Sequence, residues 1–317
     1  MRLIFEIVNK RLPIWYCFGI VPHMKLNPAY FLGIDGGGSR CRARIRNREG
    51  ALLAESIGGS SNIYQDFDGA LRSITATAAE AAKQAGLQTM DLHAGFGLAG
   101  LVTSKSAEPI TAAHLPFASV TADNDAYAAC LGAFGGEDGG IVIAGTGSIG
   151  FALIGDQRHM VGGWGFALGD HGSGAWTGHH AVRRAALAID GLLQPTPLID
   201  AVLTKVGHTR FELSRWSEQA TPKDYGQMAP LVFEAAAKGD VVGMTIVIEG
   251  SRAISNLARD LLSRGAGHVC LLGGLKDVYP PYLDADVKRA LTAPLADAMD
   301  GAIMMARRAQ GLELRWS

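Results

Sequence analysis

The sequence has no cysteine pair at metal-binding or redox spacing. Its four cysteines, Cys17, Cys41, Cys130 and Cys270, stand singly. This excludes CxxC-type zinc and iron–sulfur sites and fits a reducing compartment, so a cytoplasmic location is expected. No sign of charge is in excess: 29 Lys and Arg against 30 Asp and Glu leave a formal net charge of −1. There is thus no electrostatic footprint for nucleic acid or an acidic membrane. No apolar run approaches the ~20 residues that span a bilayer. Also missing are G-x-x-x-x-G-K-[ST], the H-R-D and D-F-G pair, and a G-x-S-x-G elbow, which removes the P-loop, protein-kinase and α/β-hydrolase readings. His179 and His180 are adjacent rather than four apart, so they cannot share one metal from a helix face.

What the chain does have is 317 residues, 48% of them hydrophobic, enough to bury roughly two domain cores. Residues 1–28 carry Arg2, Lys10 and Arg11 before a mostly apolar stretch punctuated by Pro13 and Pro22. This resembles a weak signal peptide without an A-x-A site. The reading preferred here is a weakly packed extension, with Met24 a candidate start just ahead of the first strand.

From Tyr30 the pattern sharpens. "YFLGI" reads as a buried strand, "CRARI" alternates as a second and "ALLAESIG" gives a third. Between the first two lie Asp35 and the glycines Gly36, Gly37 and Gly38. Three missing β-carbons cost backbone entropy on folding, a cost that makes sense where a phosphate must approach the main chain. An apolar helical face runs from Phe67 to Ala85. "HAGFGLAGL" and "ASVTADND" are further strands, and "DAYAACLGAF" is a helix stopped by Gly135-Gly136. Then the plan restarts: "GGIVIAGTGSIGFALIGDQRHMVGG" is again strand, glycine turn, strand, turn, strand. Gly145-Thr146-Gly147-Ser148 takes the place that Asp35–Ser39 holds in the first copy. Two such turns facing each other across a cleft would hold one polyphosphate from both sides.

Gly145 to Gly150 also matches the G-x-G-x-x-G dinucleotide fingerprint. That motif requires a helix to start at the glycines, whereas aliphatic strand character follows here, so the nicotinamide reading fails on context. A helix is expected over Ala175–Ile189, a helix-rich stretch over Leu198–Ser263, a late strand at "HVCLLGGL" and a final amphipathic helix over Leu295–Ala309.

With both turns placed, the chain resembles the sugar-kinase branch of the actin/hexokinase superfamily. More narrowly, it resembles the N-acetylglucosamine kinases and the BadF/BadG/BcrA/BcrD ATPase family. The blocks that carry the resemblance are "GIDGGGSRCRARI", "GGSSNI", "NDAYAACLGA", "IAGTGSIG", "GGWGFALGDHGSG" and "LLGGL". The resemblance implies an α/β fold of two RNase H-like (actin-like ATPase) domains, 29–136 and 137–294, with helix 295–309 packing back on the first. It also implies ATP and Mg²⁺ in the cleft between them, and a possible homodimer.

On that resemblance Asp35 holds Mg²⁺, directly or through water. Gly36, Gly37, Gly38, Ser39, Gly145, Thr146, Gly147 and Ser148 bind the phosphates, and Gly273-Gly274 forms the adenosine-side turn. Asp125 is the base that takes the proton of the acceptor hydroxyl; its plainer reading is a helix N-cap, a role that Asn124 or Asp123 would fill equally well. Asn62, Tyr64, Gly163, Trp164, Gly165 and Asp170 line the sugar pocket. Asp170 too has a capping alternative, and Trp164 a core alternative. The implied activity is phosphorylation of the 6-hydroxyl of an amino sugar, N-acetylglucosamine first and glucosamine as the alternative. An iron–sulfur ATPase activator and a non-catalytic sugar sensor are the readings from other classes. Widely separated Cys130 and Cys270 argue against the first, and the presence of both Asp35 and Asp125 against the second.

Overall fold

The computed structural model describes residues 29–38, 40–64, 66–101 and 108–314. The expected extension over residues 1–28 and the phosphate role of Ser39 lie outside them. The first half runs β1 (Tyr30–Gly36), β2 (Cys41–Asn47), β3 (Leu52–Gly58), α1 (Phe67–Gln84), β4 (Leu92–Leu98), α2 (Glu108–Ala112), β5 (Ser119–Asn124) and α3 (Asp125–Phe134). The second half runs β6 (Gly139–Ala144), β7 (Ser148–Ile154), β8 (Gln157–Gly162) and α4 (Gly174–Ile189), then α5 (Pro197–Val206), α6 (Arg210–Gln219), α7 (Pro222–Gly226), α8 (Ala229–Ala237) and α9 (Val241–Ser263). It closes with β9 (Val269–Leu272), α10 (Ala285–Ala290) and α11 (Ala298–Ala309).

The restart seen in the sequence is a restart of topology. The first sheet has strand order β3-β2-β1-β4-β5 and the second β8-β7-β6-β9. In each, the opening strand pairs antiparallel with its hairpin partner and parallel with the strand that returns after a helix. A parallel bridge from Val269 to Leu291 is the remnant of a fifth position in the second sheet. The turn after Gly145 leads into β7 rather than a helix, which disposes of the dinucleotide fingerprint structurally as well.

The last helix returns to the first sheet. The helical pattern of Leu295–Ala309 starts three residues late, because Asp297 takes the N-cap and its side chain accepts the Asp300 N–H at 3.1 Å. Gly33 on β1 and Gly95 on β4 let α11 lie against the strands: a β-carbon on either would stand 2.0 or 1.8 Å from the Met299 or Ala302 carbonyl oxygen. Alternate arginines on β2 then fix its N-terminus. Arg44 reaches Asp297 at 2.7 Å and Asp300 at 2.8 Å, and Arg46 reaches Asp300 at 2.7 Å.

Helix α3 joins the two halves. Its buried face, with Ala126, Tyr127, Cys130 and Leu131, shares one core with Ile141 and Phe151 of the second sheet and with Met304 and Met305 of α11. The helix that begins at Asp125 is therefore packed by both halves.

Candidate active site

The loops after β3 and β4, the end of β5, the β6–β7 turn and the loop after β8 face one cleft of about 510 Å³, whose lining does not include Asp35, Gly36–Gly38 or Gly273-Gly274. Asn62, Asn124 and Asp125 line it from the first half. Gly145–Ser148, Gly163, Gly165 and Asp170 line it from the second. A glycine turn and the candidate base thus share a cavity, although 20 residues and a helix separate them in the chain.

Asp125 is the first residue of α3, and the capping question is settled by geometry. Asn124 caps the helix: its Oδ1 accepts the Tyr127 N–H at 2.6 Å. Asp123 is buried and ion-paired to Arg158 at 2.7 Å, while accepting the Asn124 N–H at 2.8 Å. Asp125 has no side-chain partner among the described residues; its Oδ1 accepts the Ala126 N–H at 2.9 Å. Burial pushes its carboxyl above the ordinary carboxylate range; the Ala126 bond opposes this and the nearby Asp35 charge adds to it.

Asp170 sits under the β6–β7 turn. It is the one non-glycine among the described residues with positive φ, at 55°, a conformation that aspartate tolerates better than most. Its Oδ1 accepts the Ser148 N–H at 3.3 Å, and burial raises its carboxyl pKa against the bonds from Ser148 and Gly165. Its capping alternative falls away as well, because Ser173 caps α4 through its hydroxyl.

The turn itself is a cradle. The Gly145 and Thr146 carbonyls accept the Gly174 and Ala175 N–H groups of α4, at 2.7 and 3.2 Å, and so point away from the cleft. The N–H groups of Thr146 and Gly147 have no acceptor among the described residues. No atom lies within 4 Å of where a Gly145 β-carbon would be. Neither Gly145 nor Gly36–Gly38 has positive φ, so these glycines provide room rather than a backbone angle. Gly273 backs onto Ala144, its φ of 92° turning the chain beside the Gly145 turn, and Gly274 is open.

Asp35 ends the buried part of β1. Both bonds from its cross-strand partner Arg42, at 2.9 and 2.5 Å, fall on Oδ2. Oδ1 has no partner among the described residues. One open carboxylate oxygen fits Mg²⁺, which takes few protein ligands and completes its shell with phosphate oxygens and water. Among the described residues no three acidic, His or Cys side chains cluster as a ready-made metal cage.

Two expected pocket aromatics point elsewhere. Tyr64 is 84% exposed, and its N–H bonds Asn62 Oδ1 at 3.0 Å, so the pair acts as a loop clasp. Trp164 is 73% exposed and lines a neighbouring hollow that shares Ser148 and Asp170 with the cleft. Met160 and Gly100 do line the cleft, and sequence reasoning missed them. Met160 had a signal in the alternation of β8; Gly100 had none beyond its glycine. Cys130 and Cys270 lie in one apolar core, where burial pushes their thiols up to about 12 and about 11. These are protonated packing groups.

Residues 32–297 match the BadF/BadG/BcrA/BcrD ATPase family. The chain belongs to that family. It is similar to the glucosamine kinase GspK of Vibrio cholerae, with 39% identity over 280 residues, 87% of this chain and 95% of that protein. It is also similar to an N-acetylmuramic acid/N-acetylglucosamine kinase of Clostridium acetobutylicum, 29% identical over 71% of this chain and 76% of that one. A solved structure from Chromobacterium violaceum, provisionally named N-acetylglucosamine kinase, superposes with a TM-score of 0.83 at 34% identity, covering 88% of this chain and 99% of that one. The fold is thus the two-sheet α/β architecture of the sugar-kinase and actin-like ATPase group. No helix among the described residues is long and apolar enough to cross a membrane.

Proposed function

We propose that this protein transfers the γ-phosphoryl group of ATP to the 6-hydroxyl of an amino sugar, with glucosamine the first substrate to test. The observation that carries the reading is the shared cleft: the Gly145–Ser148 turn and the half-buried Asp125 open into the same space. Phosphoryl transfer needs little covalent help from the protein, only alignment, charge neutralisation and a group to receive the acceptor's proton.

Asp125 receives that proton. Its raised pKa suits it to the task, since a base works best with a pKa brought toward the working pH. Thr146 and Gly147 offer their free N–H groups to the phosphates, and Asn62 and Asp170 orient the sugar hydroxyls. Asp35, held in one rotamer by Arg42, presents Oδ1 to Mg²⁺, which when bound neutralises charge on the phosphate oxygens. The halves 29–136 with 295–309 and 137–294 are the two bodies that close over the substrates and exclude water. A cytoplasmic location goes with this reading.

Glucosamine is favoured by charge. The ionisable side chains lining the cleft are Asp125 and Asp170, both acids, and an ammonium at C2 is attracted where an acetamide gains nothing. The similarity to GspK points the same way. N-acetylglucosamine is the second reading, since Leu101, Ile149 and Met160 give the cleft an apolar side for a methyl group. A coupled ADP-release assay with glucosamine, N-acetylglucosamine, glucose and N-acetylmannosamine tests both. The expected order of kcat/KM begins with glucosamine. ADP release that is independent of every sugar would overturn the proposal.

A further inference from the structure

Arg158 lies on β8 in the second half, yet both its partners belong to the first. Its Nη1 is 2.7 Å from Asp123 Oδ2 at the end of β5, and its guanidinium carbon lies 3.7 Å from the centre of the Tyr127 ring on α3. Asp123 and Tyr127 are the residues two before and two after Asp125. One cation from the far half thus grips the chain on both sides of the candidate base. The Asp123 carboxylate is 8% exposed, so it depends on this partner, and Tyr127 is wedged in turn edge-on against Phe151 of β7. Two residues along the same side of β8, Met160 lines the cleft.

From this geometry we infer that Arg158 is a positioning residue that braces the Asp125 junction against the second half and so holds Asp125 in place opposite the Gly145–Ser148 turn. This inference rests on the reading of Asp125 as the base. A guanidinium suits the task because it is planar, always charged, and can donate to a carboxylate while stacking on a ring. On the closure proposed above one half moves against the other, and a carboxylate without this brace would lose its alignment to the turn as it does so. Misplacement of a reacting group by about 1 Å is enough for roughly a 100-fold loss.

The test compares R158Q, R158K and D123N by kcat, by KM for glucosamine, and by sugar binding measured calorimetrically without nucleotide. R158Q is expected to lower kcat about 10- to 100-fold with sugar affinity changed less than about threefold. R158K, which keeps the charge, is expected to recover part of kcat. D123N is expected to lose kcat to a similar degree, and R158Q/D123N to lose no more than R158Q alone, because the two act as one unit. If R158Q fails to fold, the R158K and D123N comparison carries the same test. Wild-type kcat in R158Q or R158K, or strictly additive losses in the double variant, overturns the inference. D125N separates the two claims: if it keeps full turnover, the reading of the base falls, whereas a dead D125N beside a fully active R158Q sinks only the role of Arg158.

Discussion

Adding one methyl group at Gly145 separates what the β6–β7 turn does for the fold from what it does for a ligand. Nothing in the protein lies within 4 Å of the position that the added carbon would take, and the backbone there is not in the left-handed region. G145A should therefore fold as well as the wild type. By restricting the unfolded chain it should even gain about 0.4–1 kcal/mol. On the cradle reading, the same methyl enters open space in the turn whose Thr146 and Gly147 N–H groups have no acceptor among the described residues, space that the phosphates would take. Overfilling a fitted space costs about 1–3 kcal/mol, which converts to a loss of about 5- to 150-fold in nucleotide affinity. Calorimetric titration with Mg·ADP reads the affinity and thermal unfolding reads the stability. G267A, at the other end of β9 and equally free of neighbours, is the control that should leave nucleotide affinity unchanged. Wild-type nucleotide affinity in G145A would refute the cradle.

D125N should bind sugar and nucleotide but lose about 100- to 10,000-fold in turnover, the contribution of a positioned general base; near-full kcat would exclude it. Because burial and then Asp35 raise the Asp125 pKa, activity should fall on the acid side at a pH above the ordinary carboxylate range, and a kcat/KM profile measures this. The stability consequence has the opposite sign from a salt-bridged acid. Between the unfolded value of about 4 and the raised folded value, the native state holds more protons, so stability drops as pH rises through that window. D125N should thus be more stable than the wild type at neutral pH, with the pH-dependent part of that gain vanishing below about pH 4. D300A removes the acid that Arg44 and Arg46 share while Arg44 keeps Asp297 and Glu55, and should cost about 3 kcal/mol in urea unfolding. A loss below about 0.5 kcal/mol would mean that α11 is held by packing alone.

Much of this architecture is local and therefore readable from the chain. A strand, a glycine turn and a second strand, written twice, became two sheets with matching strand order, and "TADNDAYAAC" marked the junction at which Asp125 enters the cleft. What escaped was set by register and by contacts between the halves. The alternation in "CRARIRN" shows that Arg42, Arg44 and Arg46 share a face, but not that Asp35 and the start of α11 face them. Arg158 lies 35 positions from Asp123, and no local pattern links them. Glycine is ambiguous for the same reason: at Gly33 and Gly95 it admits a helix, at Gly145 it leaves room, and at Gly273 it turns the chain. The exposure of Tyr64 and Trp164, set by their loops, is not specified by residue type.

The most direct measurement of the central claim is ADP release from the wild-type protein with Mg·ATP and either glucosamine or 6-deoxyglucosamine. The two sugars fill nearly the same space and differ only in the hydroxyl that Asp125 is assigned to deprotonate. Release should be rapid with glucosamine and fall to the sugar-free rate with the deoxy sugar, which should still compete for the cleft. Equal release with both would contradict the account.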